Sequence, residues 1–216
     1  MNNATNKSAA NLVVAAPEAA NLAAATPESF EYGLVLTTQE AKDKGMSKYQ
    51  FYKYVHSNNL EQINRGVYAP KDAWVDELYL LHKRCASAVF SHDEAFYYHD
   101  LVDREPLVHT ITVYSGFNSH RLKATGNIKV YSVKKELLDV GKIEVASNFG
   151  NSIPMYDLER TVCDALRNRN SIEAQDFNSI LKNYVGRADK DLNKLMSYAK
   201  LFRVYNIARK YLEVLL

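Results

Sequence analysis

Two helix-start signals a short distance apart constrain the fold of this chain more than any other feature. Thr37 or Thr38 opens a first helix, which Gly45 ends, and Ser47 opens a second helix that continues to about Ser57. Hydroxyl side chains cap the free N–H groups at a helix start, and glycine adopts the left-handed backbone that closes a helix. The pattern therefore predicts two helices joined by a tight turn.

A β-hairpin signal follows the second helix. Strands are predicted at Leu60–Ile63 and Val67–Ala69, and Asn64-Arg65-Gly66 connects them with glycine where a hairpin bulge favours it. Helix, turn, helix and hairpin in this order predict a winged helix-turn-helix over residues 30–70. A short preceding helix is predicted to begin at Thr26-Pro27-Glu28 and to end near Gly33.

The rest of the chain alternates between strand and helix patterns. A helix is predicted from about Asp76 to Ala86, and Ser91 is predicted to cap another that ends near Asp100. Strand patterns occur at His109–Tyr114, Ile128–Val133, Ile143–Ser147 and Ser152–Tyr156, and four packed helices are predicted after Asp157. The expected class is α+β: a winged helix-turn-helix, then an α/β domain with a mostly antiparallel sheet and a C-terminal helical bundle. The expected domains are a flexible alanine-rich tail (1–29), the DNA-binding domain (30–70) and a C-terminal domain (71–216).

Composition excludes several classes of protein. No run of apolar residues is long enough to cross a membrane, and no secretory signal precedes the first domain, so a cytoplasmic protein is expected. Cys85 and Cys163 are far apart in the sequence and are predicted to be buried thiols. The net charge of +2 does not by itself indicate nucleic acid. We expect a monomer in solution that needs no metal or other cofactor.

The second predicted helix has the two faces that recognition of DNA requires. A rotation of 100° per residue places Phe51 and Val55 on one face and polar side chains on the other. Glutamine pairs with adenine and lysine with guanine or phosphate in the major groove, while a hairpin-tip arginine suits the backbone or minor groove. The predicted DNA-binding residues are Thr38, Ser47, Lys48, Tyr49, Gln50, Lys53 and Arg65.

Other clusters of polar residues permit other interpretations. The segment from Lys182 to Lys210 contains eight basic residues and only two acidic ones, a composition that suits a solvated helix face and a partner surface equally well. Asp157, Glu159 and Asp164 permit a metal-dependent nuclease delivered by the winged helix, although Asp157 also suits a helix cap and Glu159 surface ion pairs with Arg160 and Arg167. The acids and histidines of residues 92–100 lack the i, i+4 spacing of a helical zinc site. A winged-helix scaffold that binds only protein is a third alternative.

Several short sequences, in this order, resemble the AbiEi-type antitoxins of bacterial abortive-infection systems. The likeness extends over about residues 34–216. In place of the charged amphipathic helix usual in that family, this chain has Pro27-Glu28-Ser29-Phe30-Glu31-Tyr32. The matching segments are Leu36–Ala41, Gly45-Met46-Ser47, Arg65–Tyr68, Phe90–Ala95, Thr110–Val113, Tyr156–Asp164 and Lys190–Leu195.

This resemblance implies a non-enzymatic protein of a type IV toxin–antitoxin pair. Such a protein represses its own promoter by binding inverted repeats through the winged helix. Its C-terminal domain counteracts a nucleotidyltransferase-like toxin without forming a stable complex, which contributes to defence against phage. We expect the basic residues of the last helices to act against the toxin, through an acidic surface or nucleic acid that the toxin also needs. They are Lys190, Lys194, Lys200 and Arg203.

Overall fold

The computed structural model describes residues 35–71, 74–123 and 127–215, apart from the side chains of residues 64, 121 and 123. The predicted tail (1–29) and the predicted helix that ends near Gly33 lie outside these residues. The described chain starts with strand β1 (Leu36–Thr37), helix α1 (Thr38–Asp43), helix α2 (Lys48–Ser57) and strands β2 (Leu60–Asn64) and β3 (Val67–Pro70). We call residues 36–70 the N-terminal module.

Side-chain caps fix the two helices of the module. The Thr37 hydroxyl accepts a hydrogen bond from the N–H of Glu40, and the Glu40 carboxylate accepts one from the N–H of Thr37. Ser47 and Gln50 form the same reciprocal pair at the start of α2. Such caps satisfy N–H groups that have no partner inside the helix. The two helices therefore begin where the sequence predicts them.

The module also contains a small sheet in the order β1-β3-β2, with both pairs antiparallel. The β2–β3 hairpin lies at the predicted position, with Gly66 at a positive φ of 73°. Strand β1 was not predicted, because two residues are too few to show alternation.

A five-stranded sheet forms the centre of the rest of the chain. Its strands are β4 (Val89–Phe90), β5 (His109–Tyr114), β6 (Ile128–Val133), β7 (Lys142–Ala146) and β8 (Ser152–Tyr156). The order is β6-β5-β4-β8-β7; β5/β6 and β4/β8 are parallel, and β4/β5 and β7/β8 are antiparallel. The prediction of a mostly antiparallel sheet is therefore wrong, because alternation marks a strand without giving its direction.

Helices cover both faces of this sheet. Helices α6 (Leu158–Arg167), α7 (Ala174–Gly186), α8 (Leu192–Leu201) and α9 (Tyr205–Leu215) pack on one face, as the four predicted C-terminal helices. Helix α3 (Glu77–Arg84) and the short α5 (His120–Lys123) lie on the other. Consecutive strand residues point to opposite faces, so Tyr156 joins the first core and Met155 the second. This layered arrangement is of the α+β class.

Helix α4 (Asp93–Tyr98) does not begin as predicted. His92 is its N-cap residue, at φ 50° and ψ −123°, and its side chain does not cap the helix. The Thr110 hydroxyl of β5 accepts the N–H of Glu94 in the first turn, at 2.9 Å. Ser91 instead forms a hydrogen bond with the Thr112 hydroxyl of β5, at 2.8 Å. The cross-strand partner outcompetes the cap because Ser91 follows β4 directly and is buried in the sheet.

Two further expectations concern cysteines and membranes. Cys85 and Cys163 are both buried free thiols, as predicted. Within the described residues, every helix is too short or too polar to cross a lipid bilayer.

Candidate nucleic-acid interface

The outer face of α2 presents exposed polar side chains. Phe51 and Val55 are buried on the inner face of the helix. Lys48 and Lys53 are exposed on the outer side, and the Tyr49 residue is 78% exposed. A tyrosine this exposed adds nothing to the core and presents both a hydroxyl and an aromatic face. The separation of apolar and polar faces predicted for this helix is confirmed.

The cap at the start of α2 engages two of the predicted DNA-binding residues. The Gln50 side-chain oxygen accepts the N–H of Ser47 at 2.9 Å, and the Ser47 hydroxyl accepts the N–H of Gln50 at 3.3 Å. Bidentate pairing of Gln50 with adenine would use the same oxygen and so compete with the cap. The Ser-x-x-Gln spacing was the signal in the sequence for this cap, and the expected role of Gln50 did not take it into account.

The hairpin tip is attached to the start of α1. The N–H of Thr38 donates to the carbonyl of Gly66 at 2.8 Å. A Cβ atom at position 66 would lie 2.8 Å from the Thr38 hydroxyl, so only glycine fits without displacement. Thr38 and Arg65 are both exposed beside this junction. The backbone contact thus fixes where Arg65 is presented relative to the first helix.

An ionic contact joins α1 to α3. The Lys83 ammonium lies 2.5 Å from the Glu40 carboxylate, and the Tyr79 hydroxyl donates to the same carboxylate at 3.2 Å. Burial alone would raise the pKa of Glu40, but hydrogen bonds from Lys83 and Thr37 and the charge of Lys83 lower it below its usual value. One carboxylate therefore both caps α1 and fastens the N-terminal module to the next helix. This contact across the chain had no local signal in the sequence.

The four basic residues proposed to oppose the toxin have different environments. The Lys194 ammonium lies 3.0 Å from Asp157 and 3.3 Å from Glu159, so its charge is balanced within the fold. The Lys190 ammonium donates to the Arg187 carbonyl at 2.8 Å. Lys200 and Arg203 are exposed, with the Lys200 ammonium 5.3 Å from the Tyr205 ring centre. Of the four side chains, Lys200 and Arg203 are therefore the ones that are exposed on the surface.

The three carboxylates on which the nuclease alternative depends all have partners within the fold. Asp157 caps α6 by accepting the N–H of Arg160, and it also binds Lys194. Glu159 is 4% exposed and accepts the N–H of Asp191, while Asp164 pairs with Arg160 at 3.1 Å. The expected surface ion pairs of Glu159 with Arg160 and Arg167 are therefore wrong, because Glu159 and Arg160 are buried and have other partners.

The histidines of residues 92–100 also have separate partners. His92 stacks on Tyr131, with ring centres 3.4 Å apart, and its Nε2 accepts the Asn168 amide at 2.9 Å. The neutral ring consequently donates from Nδ1 to the Ser91 hydroxyl, and burial lowers the pKa of His92 to about 3. His99 instead contacts the Tyr156 carbonyl at 2.8 Å. Among the described residues, no three potential ligands are grouped to hold a metal ion.

Comparisons with known proteins give little further information. No protein-family model matches the chain, and none of the curated proteins matches it in sequence. Among solved structures, the fold is similar to the RV2827C protein from Mycobacterium tuberculosis, with a TM-score of 0.49 and 16% sequence identity. The match covers 78% of this chain and 67% of that one. A similarity this distant carries no functional information.

Proposed function

We propose that the protein is a DNA-binding autorepressor and antitoxin of a type IV toxin–antitoxin pair. In this proposal the N-terminal module is a winged helix-turn-helix, with α2 as the recognition helix and the β2–β3 hairpin as the wing. The observation that carries it is the exposed polar outer face of α2, together with a hairpin tip that is fixed to the start of α1. The resemblance of residues 34–216 to AbiEi-type antitoxins supports the biological role.

The chemistry of the module suits double-stranded DNA. In this proposal Lys53 and Tyr49, which are exposed on the outer face of α2, contact base edges in the major groove. Ser47 and Lys48, at the helix start, suit a backbone phosphate, because the positive end of the helix dipole and the lysine ammonium attract anions there. Arg65 at the wing tip suits a neighbouring phosphate or the minor groove. Two copies on an inverted repeat in the protein's own promoter would repress transcription.

The first test measures binding to DNA. The purified protein is titrated with the duplex upstream of its own gene and with an unrelated duplex, across a series of salt concentrations. We expect preference for the upstream duplex, affinity that falls with salt, and a loss of at least about tenfold in the double variant Lys53→Ala, Arg65→Ala. Lys134→Ala with Lys135→Ala, which removes two exposed charges outside the module, is the matched control. Equal binding to both duplexes, or no binding, refutes operator recognition.

The antitoxin role requires a separate test, because repression and neutralisation are different activities. In this proposal the C-terminal part is not an enzyme and opposes a nucleotidyltransferase-like toxin without a stable complex. Lys200 and Arg203 are the candidate surface, since Lys190 and Lys194 already have partners within the fold. We expect Lys200→Glu with Arg203→Glu to abolish protection of cells that express the toxin, with DNA binding unchanged. Lys135→Glu is the control and should protect as the parent does. If Lys200→Glu with Arg203→Glu also protects fully, this surface is not the one that opposes the toxin.

A further inference from the structure

An open cleft lies on the side of the molecule where α3, α4 and the turn between β7 and β8 meet. Its volume is about 530 Å³. The walls come from residues 74–78 before and within α3, from α4 and the residues that follow it, and from the turn at residues 146–149. A volume of this size accommodates a small ligand or a side chain of a partner with its flanking backbone.

Exposed aromatic rings line the cleft. The Trp74 residue is 77% exposed, and Tyr97, Tyr98 and Phe149 are also partly open to solvent. Leaving several large rings uncovered forgoes the free energy of burying them, and such patches commonly mark binding sites. The face of an aromatic ring attracts cations, most strongly for tryptophan and tyrosine.

Carboxylates give the same cleft a negative charge. The acidic residues that line it are Asp76, Glu77, Glu94, Asp100 and Glu105, and no lysine or arginine is found among its described lining residues. His109 lies 3.1 Å from both Glu77 and Glu94, and hydrogen bonds to these carboxylates raise its pKa to about 9. One protonated histidine thus stands among five carboxylates, and the excess of negative charge favours a cationic partner.

We infer that this cleft is a docking site for a basic segment of a partner protein. An arginine or lysine side chain would lie against the Trp74 and Tyr98 rings, with its charge toward Glu105 and Asp100. Rings and carboxylates together favour such a side chain over a nucleic acid, whose phosphates the carboxylates repel. The rings also argue against a bare metal ion, which needs several oxygen ligands at close range. The inference does not depend on the proposed DNA binding, which uses another surface.

Trp74 provides a direct measurement, because it is the single tryptophan of the chain. The full-length protein is titrated with the peptide acetyl-Arg-Gly-Arg-Gly-Arg-amide while its tryptophan emission is recorded. We expect a saturable change in emission that weakens as salt is added, and none with the analogue that carries glutamate in place of arginine. An emission that does not respond to the arginine peptide overturns the inference.

Variants then localise the binding. Glu105 and Tyr98 are exposed, so Glu105→Gln with Tyr98→Ala should leave the fold intact, which circular dichroism verifies. We expect this variant to bind the arginine peptide at least about tenfold more weakly, as loss of a charge contact and a cation–π contact predicts. Glu136→Gln, an exposed carboxylate elsewhere, should bind as the parent does. Equal affinity of all three proteins overturns the inference.

Two other occupants are distinguished by the same signal. A change in emission on addition of Mg²⁺ or Ca²⁺ alone, with no response to peptide, would identify a cation site and overturn the inference. A change with protein concentration alone, accompanied by dimer formation in sedimentation, would identify a second copy of the chain and also overturn it. Operator binding by the cleft variant, measured alongside, shows whether the DNA proposal stands or fails separately.

Discussion

Replacing Arg160 with methionine tests how far the fold depends on one buried cation. The Arg160 side chain is 1% exposed and lies between two rings, with its guanidinium carbon 4.0 Å from the Tyr156 centroid and 3.8 Å from that of Phe202. Its Nε donates to the Asp164 carboxylate at 3.1 Å. Methionine preserves much of the unbranched stem but removes the charge, so Asp164 is left as a buried anion without its partner.

The structure allows the loss of stability to be estimated. Removing one partner of a buried ion pair costs about 3–5 kcal/mol. Arg160 also donates to the carbonyls of Leu137 and Val140 at 3.0 and 2.9 Å, and each lost bond adds about 1 kcal/mol, part of which overlaps with the first term. We therefore expect the free energy of unfolding to fall by about 4–6 kcal/mol, a large part of the ~5–15 kcal/mol typical of a domain.

Urea denaturation and thermal melting followed by circular dichroism measure this loss. At about 2–4 °C per kcal/mol for a chain of this size, the melting temperature should fall by roughly 10–20 °C. The double variant Arg160→Met, Asp164→Leu removes the orphaned anion and should recover about half of the loss. If Arg160→Met loses less than about 1.5 kcal/mol of unfolding free energy, the ion pair does not act as inferred. The same holds if the loss in the double variant equals the sum of the losses in Arg160→Met and Asp164→Leu measured singly.

Three further predictions concern other parts of the fold. His92 has a pKa of about 3 in the fold, whereas the same residue in the unfolded chain takes up a proton below about pH 6.5. The free energy of unfolding should therefore fall as the pH drops from about 6.5 to about 3. In urea titrations at a series of pH values, the His92→Asn variant should lose stability less steeply with falling pH than the parent does. Gly66→Ala should destabilise the hairpin by about 1–2 kcal/mol and weaken operator binding, because the added Cβ would clash with the Thr38 side chain. Gly150→Ala is the control, since Gly150 has a similar positive φ but open space around it. Equal losses of stability in the two variants would contradict the clash. Glu40→Gln should lower stability by about 1–2 kcal/mol in urea denaturation by weakening both the α1 cap and the ion pair to α3; an unchanged midpoint would show that neither matters.

The sequence predicted the two helices and the hairpin of the N-terminal module because their signals are local. A cap residue, a glycine turn and a two-faced helix are all properties of neighbouring residues, and α1, α2 and the hairpin lie where these signals place them. The exposed side chains of α2 follow from the same periodicity. The proposed role in DNA binding rests on these observations and on the resemblance of several short sequence segments to AbiEi-type antitoxins.

Contacts between distant residues could not be predicted in this way. The ion pair of Glu40 with Lys83 and the balance of Lys194 by Asp157 depend on how helices pack, which no local pattern encodes. The same limit explains why Glu159 was expected on the surface although it is buried.

The sequence by itself determined where most helices and strands begin, which faces of the helices are apolar and that the class is α+β, because propensity, capping and periodicity act within a few residues. Tertiary structure alone decided the parallel pairing of β4 with β8, the burial of Arg160 and the meeting of aromatic and acidic residues in one cleft. These features arise when segments far apart in the chain are brought together by burial of apolar surface, which depends on the whole fold.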